Sequence, residues 1–409
     1  MSLPARRTWW SVAWLALSAA IALLGCGSDP PPSGGGDGAS GAGATGATGG
    51  SGPQGGTTHA GGTGTGATGT GGIGNSGNAG GSGGHGASPP DCPDGVICVT
   101  TFPFEHSSTT TGAASDQLDG YSCAPTTNES GPEVTYRVDV PEDGFLGLEL
   151  GEPLDPGVDV DVHLLQSLDP ATCIDRGNWR AGAWVTAGRY WVTADTWVTA
   201  QAQECDGAYT LTFGLTTVTD LAAMGMDATV ASDALYAFDR AWAAGEAQRL
   251  AYAVTNFALP SYEKRLWILN LADGSLLHNT YVPHGEGSSD PNDTRYAISF
   301  SNVSGSNQSS LGVMQAAETY TGTYGYSMRL DGLEPGYNDN VRSRAIVVHP
   351  WDGSTDAYVS YWGECAPTWG CAGLDPAISA QVIDFLSNGG LLLFHYPDGD
   401  WSVHSAYLP

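Results

Sequence analysis

The run Arg342-Ser343-Arg344-Ala345-Ile346-Val347-Val348-His349 closes an apolar, strand-like segment on a histidine, and Thr368-Trp369-Gly370-Cys371 follows about twenty residues later. A cysteine behind a glycine, downstream of a histidine at the end of a buried strand, is a common layout for a thiol nucleophile and its base. Outside the cytosol an unpaired cysteine is rare, so the compartment decides what Cys371 means.

The N-terminus speaks for export. Arg6 and Arg7 precede an apolar run from Trp9 to Leu24, too short for a stable span and suited to the core of a secretory signal. It ends in Leu23-Leu24-Gly25-Cys26, which resembles a bacterial lipobox. Residues 1–26 therefore read as a lipoprotein signal, with Cys26 as the acylated mature N-terminus and the lipid as the only contact with the membrane. Gly27 and Ser28 lack the aspartate that commonly retains lipoproteins at the inner membrane, so the expected location is the outer membrane, facing the periplasm. Residues 27–90 are almost wholly Gly, Ser, Thr, Ala and Pro and cannot bury enough apolar surface to offset chain entropy. They are expected to be a flexible tether with a reach of roughly 40 to 50 Å. The formal net charge of -29 argues against nucleic acid or an anionic membrane surface as partner.

Residues 91–217 predict an all-β region, a β-sandwich of short strands: Val134 to Val140, Phe145 to Leu150, Val158 to Leu165, Arg189 to Ala194 and Tyr209 to Phe213. The alternation Val158-Asp159-Val160-Asp161-Val162-His163-Leu164 predicts one apolar face and one solvated acidic face. Calcium on Asp159 and Asp161 is weighed and set below that plain polar face, and His163 is assigned no role. The order of this Asp-x-Asp strand, Gly188-Arg189-Tyr190-Trp191-Val192 and Gly207-Ala208-Tyr209-Thr210-Leu211 loosely resembles the bacterial pre-peptidase C-terminal domain.

Residues 218–409 predict a mainly β domain with peripheral helices. Ser232 to Ala244 is helix-like, capped by Ser232 or Asp233, with Leu235, Phe238 and Trp242 on one face. Strands are expected at 250–257, 265–271, 276–283, 327–330 and 344–348, then a helix opened by Asp375-Pro376 and a buried strand at Leu391-Leu392-Leu393-Phe394.

Several motifs recur here in order: Glu263-Lys264-Arg265-Leu266-Trp267, His284-Gly285, Gln308-Ser309-Ser310-Leu311-Gly312, Gly325-Tyr326-Ser327-Met328-Arg329-Leu330-Asp331-Gly332, Asn338-Asp339-Asn340, the strand ending in His349, and Trp369-Gly370-Cys371. As a set they resemble the murein L,D-transpeptidase catalytic domain family, a branch of the YkuD-like fold, over nearly the whole of 218–409. The resemblance implies a cysteine acyltransferase on peptidoglycan stem peptides, with Cys371 as nucleophile and His349 as its activating base. It implies release of D-alanine, transfer of the acyl group to an amine, and no metal or organic cofactor. Gly370, Trp369 and Thr368 would support the oxyanion. Arg329, Tyr326, Arg344 and Ser343 are candidate groove residues, Arg329 standing equally as an ion-pair partner of Asp331 or Asp339. His284 is expected to be a hydrogen-bonded structural histidine. The alternatives are transfer to water, an L,D-carboxypeptidase, or a catalytically silent peptidoglycan-binding lipoprotein. Relative to the family, Thr368 replaces a serine, Pro350 a glycine, and Ala372-Gly373 a Pro-Ala pair.

Cysteine parity bears on the nucleophile. Cys365 lies six residues before Cys371, and a bridge between them would mask the thiol, whereas a free Cys371 leaves Cys365 to pair elsewhere or stay reduced. Local spacing favours Cys92 with Cys98 and Cys173 with Cys205.

Overall fold

A computed structural model describes residues 91–151, 155–397 and 399–409. The signal-like segment, Cys26 and the glycine-rich tether lie outside the described residues. The first nine strands are β1 (Ile97–Val99), β2 (Phe104–Thr109), β3 (Val134–Val140), β4 (Gly144–Leu150), β5 (Val160–Leu165), β6 (Cys173–Gly177), β7 (Arg180–Val185), β8 (Gly188–Thr196) and β9 (Ala208–Thr217). They form a five-stranded sheet, β1-β3-β8-β5-β6, facing a four-stranded sheet, β2-β9-β4-β7. Alternate residues supply the core between them: Val138, Val162, Leu164 and Val192 from one sheet, Leu146, Leu148, Leu211 and Phe213 from the other.

The polar face of β5 is not solvated, against the alternation. Asp159, Asp161 and His163 are all buried. The segment between β2 and β3 lies over them: Tyr121 stacks on His163 with ring centroids 3.6 Å apart, and Leu118 and Tyr121 pack with Leu165. A disulfide from Cys123 to Cys173 staples that segment to β6. This corrects the pairing expected for Cys173, while Cys92–Cys98 forms as its spacing suggests.

The second region carries an eight-stranded mixed sheet. Its strands are β10 (Ala251–Asn256), β11 (Leu266–Asn270), β12 (Ser275–Thr280), β15 (Gly312–Gly322), β16 (Gly325–Gly332), β17 (Val347–Pro350), β18 (Ala372–Leu374) and β19 (Leu391–His395). Their order is β12-β11-β10-β19-β15-β16-β17-β18, and a separate ribbon pairs β13 (Ser289–Asp290) with β14 (Asp293–Ala297). The helices are α1 (Val218–Ala223), α2 (Ala228–Ala243), α3 (Asp356–Trp362), α4 (Pro376–Leu386) and α5 (Trp401–His404). Helix α2 starts one turn before its expected cap, because the Asp227 carboxylate accepts from the amides of Thr229 and Val230. Asp375 caps α4 as expected.

The two regions share a packed seam. Phe145 of β4 meets Phe238 and Trp242 of α2 edge to face, and Trp242 Nε1 donates to Asp175 at 2.8 Å. A Cβ on Gly147 would stand 2.1 Å from the carbonyl oxygen of Leu271, so glycine is needed for this approach.

Asn338 fastens the segment that leads into β17. Its amide donates to the carbonyls of Leu311 and Val313 at 2.9 and 3.0 Å, and its oxygen accepts from the Glu334 amide at 2.8 Å, all buried. Asn338→Ala strands three buried backbone groups, and a loss of about 3 kcal/mol is expected. Urea denaturation of the two proteins measures it.

Candidate active site

The sheet register brings the two motifs together. β17 and β18 run parallel, with Val348 opposite Ala372 and His349 opposite Gly373, so Cys371 emerges beside the strand that carries His349. Both side chains line one cavity of about 420 Å³, walled by Tyr324, Arg344, Ile346, Trp351, Thr368 and Trp369 among others. Its lining is mainly aromatic and aliphatic, with few polar groups, as small-molecule and peptide pockets usually are.

His349 is held in one tautomer. Its Nδ1 lies 2.8 Å from the carbonyl oxygen of Pro350, which can only accept, so Nδ1 carries the proton and Nε2 is left as the base. Tyr324 stacks on the imidazole at 4.4 Å between centroids, and Trp351 meets it edge-on at 5.8 Å. Burial lowers the His349 pKa, with the Pro350 carbonyl opposing, so the ring is neutral at neutral pH.

The thiol is neutral as well. Burial pushes the Cys371 pKa up, while the Val347 backbone and the Arg344 charge pull it down less strongly. Sγ lies 3.6 Å from the carbonyl oxygen of Ala345, and no hydrogen bond joins it to His349. Ala345 itself sits at φ +56, in the left-handed region that L residues avoid. That turn ends any strand before Ile346, which is why the expected strand at 344–348 shrinks to Val347–Pro350.

The resting pair is thus thiol and imidazole. The pH dependence follows from the two directions. kcat/KM for amide cleavage is expected to rise below pH 6.5, as His349 loses its proton. It is expected to stay level past pH 9.0, the ordinary thiol value. Alkylation of Cys371 by iodoacetamide is likewise expected to keep rising with pH past 9.0, with no plateau below it. A preformed thiolate–imidazolium pair would invert this order, giving fast alkylation well below that pH.

Gly370 fixes the approach to Cys371. It adopts φ +111, and a Cβ there would meet the Gln308 carbonyl oxygen at 2.6 Å and Ile346 Cδ1 at 2.9 Å. Its amide donates to Thr368 Oγ1 at 3.1 Å, and that hydroxyl donates to the Cys371 carbonyl at 2.9 Å. The Gly370 amide, expected to face an oxyanion, is therefore engaged within the turn. Trp369 is 68% exposed and forms an outer wall of the cavity.

The weaker groove residues separate. Arg344 lines the cavity, and its guanidinium donates to the carbonyls of Ser301 (2.5 Å) and Gln308 (2.7 Å) and to the hydroxyls of Ser310 (2.7 Å) and Ser306 (3.2 Å). None of these acceptors is charged, so its positive charge stays uncompensated beside the thiol. Arg329, Tyr326 and Ser343 are not among the residues lining the cavity. Arg329 pairs with Glu318 at 3.1 Å and lies over Tyr320, in place of either aspartate expected. The Tyr326 hydroxyl donates to Asp384, and the Ser343 hydroxyl to the Asn340 carbonyl. His284 is buried between Arg265 and the Ser289 and Thr294 oxygens, and burial with the Arg265 charge brings its pKa down to about 3. Cys365 is a free buried thiol whose Sγ donates to the Ser261 carbonyl at 3.0 Å, so it does not mask Cys371, which is also free.

Tyr324 and Trp351 are functional surroundings that the motifs do not announce. Trp351 stands two residues after His349, the one sequence signal available. Tyr324 belongs to the tight turn between β15 and β16 and reaches the site only through the sheet order.

Residues 222–396 match the model of the L,D-transpeptidase catalytic domain family. No curated protein matches the chain. Among solved structures, the pre-peptidase C-terminal domain of a collagenase from Bacillus anthracis is similar over 30% of this chain and 96% of its own, at 13% identity and a TM-score of 0.20. PliG of Aeromonas hydrophila, a periplasmic inhibitor of g-type lysozyme, is similar over 29% of this chain and 96% of its own, at 10% identity and a TM-score of 0.19.

Proposed function

We propose, on the premise that residues 222–396 form the L,D-transpeptidase catalytic domain of a peptidoglycan-modifying enzyme, that the chain is a cysteine acyltransferase working through Cys371 and His349. The observation that carries the reading is one cavity lined by both side chains, with His349 Nδ1 tied to Pro350 so that Nε2 is the free base.

The reaction balances as follows. As Cys371 Sγ attacks the carbonyl carbon between the diamino acid and D-alanine of a donor stem, its proton passes to His349 Nε2. The C–N bond breaks, His349 returns the proton to the departing amine, and D-alanine leaves behind a thioester. An acceptor amine then attacks that thioester, its proton passing through His349 to the reforming thiol. Water in place of the amine gives a trimmed stem. Arg344, an uncompensated cation at the cavity wall, stabilises the negative charge that develops on sulfur and oxygen. With the Gly370 amide engaged, the Cys371 amide is the oxyanion donor we assign.

Muropeptides carrying tetrapeptide stems test this. Free D-alanine and a cross-linked dimer or a tripeptide product should appear together, and the ratio of dimer to tripeptide separates transfer from hydrolysis. Intact substrate after prolonged incubation with folded protein would refute it. We further propose that the protein is held in the envelope by a lipid on Cys26, at the outer membrane facing the periplasm. Labelled fatty acid should enter the wild-type chain and not Cys26→Ala; equal labelling would reject the anchor.

A further inference from the structure

The buried polar cluster under the β2–β3 segment has no part in acyl transfer and is badly matched in charge. Glu129, Asp161 and His163 are 1%, 2% and 0% exposed. The sheet register places Asp161 directly opposite Asp195 and His163 opposite Arg176, so two carboxylates meet across strands where like charges repel. Arg176 donates to Asp161 and, at 3.1 Å, to Glu129, and is the cation paired with them. The Tyr121 hydroxyl caps Asp195.

Several of these buried atoms lack a partner. Glu129 Oε2, Asp161 Oδ1 and both ring nitrogens of His163 make no hydrogen bond, although His163 Nε2 faces Glu129 Oε1 at 3.8 Å. A buried donor or acceptor left without a partner is destabilising, so a cluster with this many is incomplete as it stands. One ligand atom from each of the three residues lies within 4.8 Å of the others, a spacing one small ion can bridge.

We propose that Glu129, Asp161 and His163 form a divalent-cation site of the zinc type, with Arg176 as the competing cation. The imidazole sets the class, because mixed nitrogen and carboxylate donors suit zinc and its neighbours and calcium takes oxygen alone. Arg176 is partly exposed, so its guanidinium can swing to solvent as the ion enters. The ion would pin the β2–β3 segment to the five-stranded sheet, beside the Cys123–Cys173 bridge.

The test is a Zn²⁺ titration of chelator-treated full chain carrying Cys371→Ala and Cys365→Ala, which removes both free thiols among the described residues. Calorimetry should find one equivalent bound, and Co²⁺ should give a visible spectrum indicating nitrogen ligation. Arg176→Gln is expected to tighten binding at least about tenfold by removing the competitor, and His163→Gln to weaken it at least about a hundredfold. If His163→Gln does not fold, the Arg176→Gln arm decides. No uptake by either the parent or Arg176→Gln, unchanged or weaker affinity in Arg176→Gln, or affinity unmoved by His163→Gln would overturn the site.

Discussion

Cys371→Ala is expected to lower D-alanine release from tetrapeptide muropeptides by at least about a thousandfold while leaving the protein folded. No second thiol among the described residues lines this cavity, and the hydroxyl on the turn, Thr368 Oγ1, is engaged with Cys371 and Gly370. Stability should change little, because the contacts of the Cys371 side chain with the Ala345 carbonyl, at 3.6 Å, and the Val347 backbone are weak sulfur contacts. The matched control is Cys365→Ala. That thiol is buried against Ser261, so its loss should cost about 1 to 2 kcal/mol of stability and leave turnover near wild type. Added reductant should not change the wild-type rate, because both thiols are already free. A reductant-dependent rate would instead point to the masking bridge that the sequence leaves open.

Gly370→Ala should also abolish most activity, by geometry rather than by chemistry. Its Cβ would overlap the Gln308 carbonyl oxygen at 2.6 Å, in a backbone conformation at φ +111 that alanine avoids. The turn must shift, and Cys371 follows it directly. A displacement of about 1 Å at a reacting atom costs on the order of a hundredfold in rate, with a stability loss of about 2 kcal/mol alongside. Gly363→Ala separates strain from misplacement. That glycine also has positive φ, at +74, but nothing lies within 4 Å of its Cβ position at the end of α3. It should lose about 1 kcal/mol and keep its kcat/KM. Paired kinetics and thermal denaturation of the two variants check the distinction.

That Cys371 and His349 would meet at one cavity was readable from sequence, because each sits in a short motif beside a strand and parallel pairing of β17 with β18 does the rest. Arg344 was readable for the same reason, three residues before β17. Arg329 and Tyr326 were not, since their motif lies on β16 with both side chains bound to other partners. The longest strand, β15, escaped notice because Gln315, Glu318, Thr319 and Thr321 break its apolar pattern, although it lies between β19 and β16. Burial of Asp161 and His163 was hidden for another reason. A period-2 pattern tells which residues share a face, and cannot tell that a distant segment with few apolar residues will cover it. The cover is held by Tyr121 and the Cys123–Cys173 bridge, neither of which alternation reports.

The catalytic account stands or falls on a covalent bond to one sulfur. Wild-type protein mixed with tetrapeptide muropeptide, quenched in acid within the first turnovers and digested for mass spectrometry, should yield the stem acyl group on Cys371 as a thioester, with one D-alanine released per adduct. A substrate adduct on any other residue, or D-alanine released at an undiminished rate by Cys371→Ala, would contradict it.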